Sequence, residues 1–208
     1  MNGLFRKNPP KPKYATTWNT DTLREYLANR PKIALLEPEE LERKTIILLA
    51  LCSGRRVSEL TNLNRDDILE TESMISIPIN YRNKNRSKGA PHMIHLAQAE
   101  EETLCPVKHI NAYLNLTKET KCEKLFINRK TGSPLSSATL ARWIKEQLSA
   151  AGISSNFSAH SIRGAVATKA TFKGMSVDSL MKQLNWRSKR TVERFYLRPE
   201  ALQESILL

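Results

Sequence analysis

The sequence predicts a mainly α-helical domain that carries one small antiparallel β-sheet, and three observations lead there. An apolar segment opens on proline and closes on glycine at residue 54, two alternating runs flank a cationic turn between residues 74 and 96, and everything from Ser136 onward reads as helix. The first segment, LEPEELERKTIILLALCSG (residues 36–54), puts Pro38 where a helix tolerates a missing N–H. It puts Glu39 and Glu40 where the helix dipole favours acids, and Gly54 where a left-handed cap is wanted. Its second half is apolar on most faces, so a buried helix is expected. Beyond it, RRVSELTNL spaces Val57, Leu60 and Leu63 as a short helix does.

In SMISIPINY, Ile75, Ile77 and Ile79 alternate with Ser76, Pro78 and Asn80, the pattern of a half-buried strand, and Pro78 argues for a sheet edge because it has no N–H to give a ladder. HMIHL returns as a second strand, so residues 74–96 form a hairpin whose turn, YRNKNRSKGAP, is long and cationic. VKHINAYLNL reads as a helix and KLFIN (residues 124–128) as a third short strand. SSATLARWIKEQLSAAG, SAHSIRGAVATKATFKG, MSVDSLMKQLNW and SKRTVERFYL then follow as helices, each beginning near Ser or Thr and the first two ending at Gly. No internal repeat or low-complexity tract interrupts them. The expected organisation is a basic flexible tail over residues 1–17 and one domain over residues 18–208.

The 208 residues include 33 Lys plus Arg against 21 Asp plus Glu, a net charge of +12, which points to a polyanionic partner. No apolar run approaches the roughly 20 residues a bilayer-crossing helix needs. Cys52, Cys105 and Cys122 form no CxxC pair, and the four histidines show no zinc-ligand spacing, so no metal site is expected and a reducing compartment is favoured. The first 17 residues carry charge and proline where a secretory signal would be apolar, and an intracellular location is expected.

Four stretches hold candidate chemistry. In SGRRVSEL, Arg55 and Arg56 follow the helix-ending glycine; a guanidinium suits phosphate because its planar fork donates two parallel hydrogen bonds while staying charged, although either arginine alone also reads as a surface cation. The hairpin turn carries Arg82, Lys84, Arg86 and Lys88 without an acid: a solvated turn, or a loop that brings a lysine to a leaving-group oxygen. In AHSIRGA, His160 and Arg163 stand one helical turn apart, where both can address one anion, a pairing that is common by chance. In LNWRSKRTVERFYLRP, Tyr196 follows Trp186 amid Arg187, Lys189, Arg190, Arg194 and Arg198, either as a core aromatic or as a phenol to which an anion is brought.

In combination and in order, these stretches resemble the catalytic domain of the tyrosine recombinase (phage integrase) family from about Trp18 to Tyr196. CSGRRVSELTNLNRDDI is similar to the family's first-arginine box, and the run from SAHSIRG to FYLRP to its second box through the nucleophile. Trp186 stands where most bacterial members carry histidine, and its spacing to Tyr196 is one residue longer than theirs. That departure resembles the recombinases of crypton-type and related eukaryotic mobile elements. Phe195, at the shorter spacing, has no hydroxyl to attack with.

The resemblance implies the DNA breaking-rejoining fold and a site-specific recombinase that joins Tyr196 to a 3′-phosphate of double-stranded DNA and later reseals the strand, independently of metal and ATP. Arg56 and Arg163 would meet the phosphate charge, with the Trp186 indole N–H beside them; His160 would take the phenol proton; Lys84, with Lys88 in reserve, would protonate the leaving 5′ oxygen. Arg55, Arg82, Arg86, Lys88, Arg187, Lys189 and Arg190 would track the DNA backbone. It implies no small-molecule cofactor and no membrane, self-association as a tetramer on DNA, and a nuclear location in a eukaryotic host or the cytoplasm and nucleoid otherwise. The family's amino-terminal core-binding domain is not expected within these residues. The alternatives are an inactive, domesticated DNA-binding module of the same fold, a type IB topoisomerase-like enzyme, and a basic helical scaffold with core aromatics.

Overall fold

The computed structural model of the chain describes residues 13–79 and 92–198. A short helix, α1 (Thr20–Ala28), comes first and was not anticipated from the sequence; the Asn19 side chain caps it by accepting the Asp21 N–H at 3.0 Å, and Leu23 and Leu27, one turn apart, are buried. Helix α2 (Pro38–Ser53) begins on the expected proline and ends on Gly54 in the left-handed region (φ 57°). It buries the consecutive run Ile46 to Ala50, and only its last turn, at Leu51 and Cys52, reaches water. It is the centre of the molecule, packed by helices α4 (Pro106–Leu116), α5 (Ser137–Ala150) and α6 (Ser161–Phe172) and by strand β3 (His92–Ala97). Each of its fully buried Leu and Ile side chains contributes about 1.5–3 kcal/mol relative to exposure.

The RRVSELTNL segment condenses to one helical turn, α3 (Val57–Leu60), where the Glu59 carboxylate reaches back to the Arg56 N–H at 2.9 Å. The sheet is three-stranded and antiparallel, β1 (Leu69–Glu70), β2 (Met74–Ile79) and β3, in that order. Ile75 pairs with Leu96 and Ile77 with Ile94, which aims the alternating isoleucines at α2 and the core. Two expectations need correction. KLFIN forms only isolated bridges, Asn64 to Lys124 and Ile127 to Pro134, and the third strand is instead the two-residue β1. Strand β2 is the middle strand, not an edge; Pro78 is accommodated because β1 pairs only with Ser76 and Ile75, which leaves the proline with β3 alone for a neighbour. The hairpin turn lies outside the described residues.

Helices α5, α7 (Val177–Leu184) and α8 (Lys189–Phe195) are capped as expected, the Ser136, Ser176 and Ser188 side chains accepting N–H bonds from Thr139, Ser179 and Thr191. Helix α6 has no such side-chain cap. A satellite apolar cluster of Ala167, Leu180, Leu184, Trp186 and Val192 joins α6, α7 and α8 beside the main core.

His109, on α4, is fully buried; its Nδ1 bonds the Cys105 carbonyl at 2.9 Å and its Nε2 has no partner. Burial pulls its pKa down from the ordinary 6.5 to about 4. Between those values an unfolded chain takes up a proton that the folded chain refuses, so this group's contribution is present above pH 6.5 and is lost as the pH falls towards 4. Urea unfolding at pH 7, 5.5 and 4.5 is expected to show a loss of about 2–3 kcal/mol from this residue, and a shallower pH dependence in His109→Asn.

Candidate active site

The site grows from the end of α7. Asn185 adopts the left-handed conformation (φ 55°), and the Trp186 N–H bonds back to the Met181 carbonyl at 2.9 Å, so the helix closes on a Schellman turn. That turn satisfies the Met181 and Lys182 carbonyls and leaves those of Gln183 and Leu184, which lie at the negative end of the helix dipole. Two arginines take them. Arg55 donates one Nη to the Gln183 carbonyl at 2.7 Å and to Met93, opposite Pro78, at 3.1 Å. Arg163 donates to the Leu184 carbonyl and, at 2.8 Å, to the Gly54 carbonyl just past the end of α2.

Arg163 is therefore 1% exposed, its guanidinium stacked 4.2 Å from the Trp186 ring centroid. The Trp186 ring in turn lies 4.6 Å from that of Tyr196. Tyr196 closes helix α8; its carbonyl accepts a bond from the Thr168 hydroxyl of α6 at 3.0 Å, and its own hydroxyl stands 3.3 Å from Nε2 of His160, at the start of α6.

Arg56 is one-third exposed and pairs with the buried Glu59 carboxylate at 3.1 Å. It lines one groove together with His160, Ser137 and Lys145. Burial, then the Arg163, Arg56 and Lys13 charges, hold the His160 imidazole below its ordinary pKa of 6.5. The ring is accordingly neutral at pH 7, and in the tautomer with Nε2 bare it can accept the Tyr196 proton. Burial and the neighbouring Arg56 charge bring the Arg163 guanidinium down to about 9, which still leaves it cationic at neutral pH. Its Nε, like the Trp186 indole N–H, is buried without an acceptor.

The fold thus brings Arg56, His160, Arg163, Trp186 and Tyr196 together from three separated stretches of sequence. The placement departs from expectation in two respects. His160 and Arg163 do not share an open face: the imidazole is at the helix mouth and the guanidinium is beneath it. Arg55, expected on the DNA backbone, is 6% exposed and clamps two carbonyls, because the orphaned end of α7 lies against it. Arg187, Lys189 and Arg190 are exposed. Lys84, Arg82, Arg86 and Lys88 lie outside the described residues. Residues 13–17, assigned to a tail by composition, instead pack at the site: Tyr14, Thr16 and Thr17 line a cavity of about 260 Å³ with His160 and Tyr196. Nothing local in KPKYATTW marks them, since their partners are some 140 residues away.

Residues 19–202 match the phage integrase family. The chain is 26% identical over 151 residues to a tyrosine recombinase of Thermosipho africanus (strain TCF52B), covering 73% of this chain and 48% of that protein. It is 27% identical over 159 residues to the tyrosine recombinase XerC of Syntrophus aciditrophicus (strain SB), covering 74% and 48%. The chain spans about half the length of these curated relatives. The crystal structure of the XerH site-specific recombinase bound to palindromic difH substrate, a post-cleavage complex, superposes with a TM-score of 0.67 at 20% identity over 93% of this chain and 53% of that one. This likeness shows that the two share a fold.

Gly54 is where this geometry is most easily tested. A Cβ there would lie 2.9 Å from Leu184 Cδ2 and 3.3 Å from Val166 Cγ1, in a conformation that costs a non-glycine residue about 1–2 kcal/mol. Gly54→Ala is expected to lower the denaturant-unfolding free energy by about 2 kcal/mol or more, because Leu184 must shift and its carbonyl holds Arg163; an unchanged midpoint would refute this.

Proposed function

The chain belongs to the phage integrase family, and from that premise and the Tyr196 geometry we propose that it is the catalytic domain of a site-specific DNA recombinase, cleaving and rejoining duplex DNA through a covalent 3′-phosphotyrosyl intermediate. One observation carries the reading: the Tyr196 hydroxyl sits 3.3 Å from a histidine nitrogen whose protonation is opposed by burial and by surrounding cations. A phenol with an ordinary pKa of about 10 needs such a base at neutral pH.

In the cleavage step Tyr196 Oη bonds to phosphorus as its proton passes to His160 Nε2, and the bond from phosphorus to the 5′ oxygen breaks. That oxygen takes a proton from Lys84, with Lys88 as the second candidate, leaving a free 5′-hydroxyl. Rejoining is the same path reversed, with the phosphoester energy conserved in the tyrosyl bond, so that no nucleotide is consumed. Charge gathers on the non-bridging oxygens in the transition state. Arg56, open to solvent, would bond them directly. Arg163 would supply fixed charge from below, and the acceptor-free Arg163 Nε and Trp186 Nε1 are the donors a phosphate would satisfy.

Around this centre, exposed Arg187, Lys189 and Arg190 would follow the duplex backbone without reading sequence. Self-association as a tetramer on DNA belongs to the same reading, and light scattering with and without duplex tests it. The Trp186, Thr191, Tyr196 and Arg198 pattern supports the narrower proposal of a crypton-type or related eukaryotic element, acting in the nucleus. A fluorescent fusion excluded from nuclei would count against that.

Incubated with nicked duplex, the wild-type protein is expected to give a covalent adduct on a denaturing gel and Tyr196→Phe none; an adduct with both would displace Tyr196 as nucleophile. Normal DNA binding with no adduct from the wild type would favour a binding module. Because the folded-state pKa of His160 is lowered, the cleavage rate is expected to hold as pH falls to 6.5 and to decline only below it. An acid limb centred above 6.5 would remove His160 as the base.

A further inference from the structure

The contact between Tyr196 and His160 joins two segments that reach the site from different directions, residues 157–161 and residues 196–198. Tyr14, from a third direction, is bonded to both. Its phenol oxygen is 2.7 Å from the Ser158 hydroxyl and accepts the Ser158 backbone N–H at 3.2 Å, two residues before His160. Its ring lies 5.4 Å from Phe157. Its carbonyl accepts a bond from Arg198 Nε at 3.1 Å, two residues after Tyr196. Arg198 is further tied through its own N–H to the Thr168 hydroxyl that holds the Tyr196 carbonyl. Four residues on, the Trp18 indole N–H donates to the Ser161 hydroxyl at 2.9 Å, so the strap is anchored on both sides of His160.

We infer that Tyr14 is a positioning residue that clasps the base-bearing turn to the nucleophile-bearing turn and thereby sets the His160–Tyr196 distance. The inference rests on the reading of Tyr196 as nucleophile and His160 as its base. Its physical content is that a proton transfer depends steeply on donor–acceptor separation, and misplacement by about 1 Å costs up to about a hundredfold in rate. Helix α6 begins without a side-chain cap, and Tyr196 lies past the last residue of α8, so the clasp joins two helix ends. The strap also walls the cavity in front of His160 and carries the Lys13 charge, both of which act against protonation of the imidazole. Loosening the clasp should move that ring relative to Tyr196.

Tyr14→Phe keeps the ring and the carbonyl and removes the phenol's bonds to Ser158 and to Lys13; Ser158→Ala removes the hydroxyl alone. Two measurements decide the matter. In an NMR titration, the His160 midpoint is expected to rise towards 6.5 in Tyr14→Phe, and to rise by less in Ser158→Ala. In covalent trapping, Tyr14→Phe is expected to cleave about tenfold more slowly with an unchanged Kd for DNA and an acid limb displaced in the same direction. A residue that merely stabilised the fold would lower the active fraction and leave both midpoints alone. An unchanged His160 titration in both variants would overturn the clasp whatever the enzyme does, whereas absence of an adduct in the wild type would overturn the recombinase reading while the titration still decides whether Tyr14 governs His160.

Discussion

A buried arginine held between the ends of two helices organises this molecule. The Arg163 guanidinium is bonded to the carbonyls of Gly54 and Leu184, one just past the end of α2 and the other the last residue of α7, and is stacked on Trp186. Carbonyls left over at a helix C-terminus carry partial negative charge and want donors, and a guanidinium supplies several in one plane. The arrangement ties the central helix to the C-terminal helices through one side chain. It also sets Trp186 over the cation and, through Trp186, the Tyr196 ring. Arg55 repeats the device one carbonyl earlier and extends it to the sheet through Met93.

This construction concentrates positive charge where a folded protein would ordinarily dilute it. Arg56, Arg163 and Lys13 all oppose the protonation of His160, and Arg56 also opposes the charge on Arg163. The nearest buried acid, Glu59, offsets part of this by pairing with Arg56. The remaining repulsion is a cost to stability that an anion would relieve. The same field keeps an imidazole neutral beside a phenol, so that one set of charges would serve both to attract phosphate and to hold a base ready. Stability and the concentration of charge are opposed here.

The apolar framework absorbs that cost. The Ile46 to Ala50 run of α2 and the isoleucine ladder of β2 and β3 form a core that does not involve the charged centre, while Trp186 belongs to a separate small cluster with Leu180, Leu184 and Val192. Trp186 packs in that cluster and also lies against Arg163 and Tyr196, its face buried while its N–H stays unspent. The clasp by Tyr14 adds a third layer, in which a segment of unremarkable composition closes over the groove.

Local rules sufficed for much of this. Proline, acidic first turn and glycine delimit α2; serine caps delimit α5, α7 and α8; alternation marks β2 and β3. In each case the energy that decides the element is carried by residues within a turn or two of one another. The motifs SGRRVSEL, SIRG and FYLRP were legible for a different reason, their resemblance to one family. What the sequence left open depended on partners far along the chain. KLFIN has the composition of a strand but no partner that extends beyond single bridges, and Pro78 is tolerated in a middle strand only because β1 is too short to reach it. Arg55 and Arg56 are neighbours with the same side chain, yet one is buried on the carbonyls of α7 and the other is open beside His160, a division made by helices 130 and 100 or so residues away. Tyr14 has no local signature because its meaning lies at Ser158 and Arg198. Periodicity and caps are properties of adjacent residues and can be read in one dimension; which of two identical cations is desolvated is a property of what folds against it.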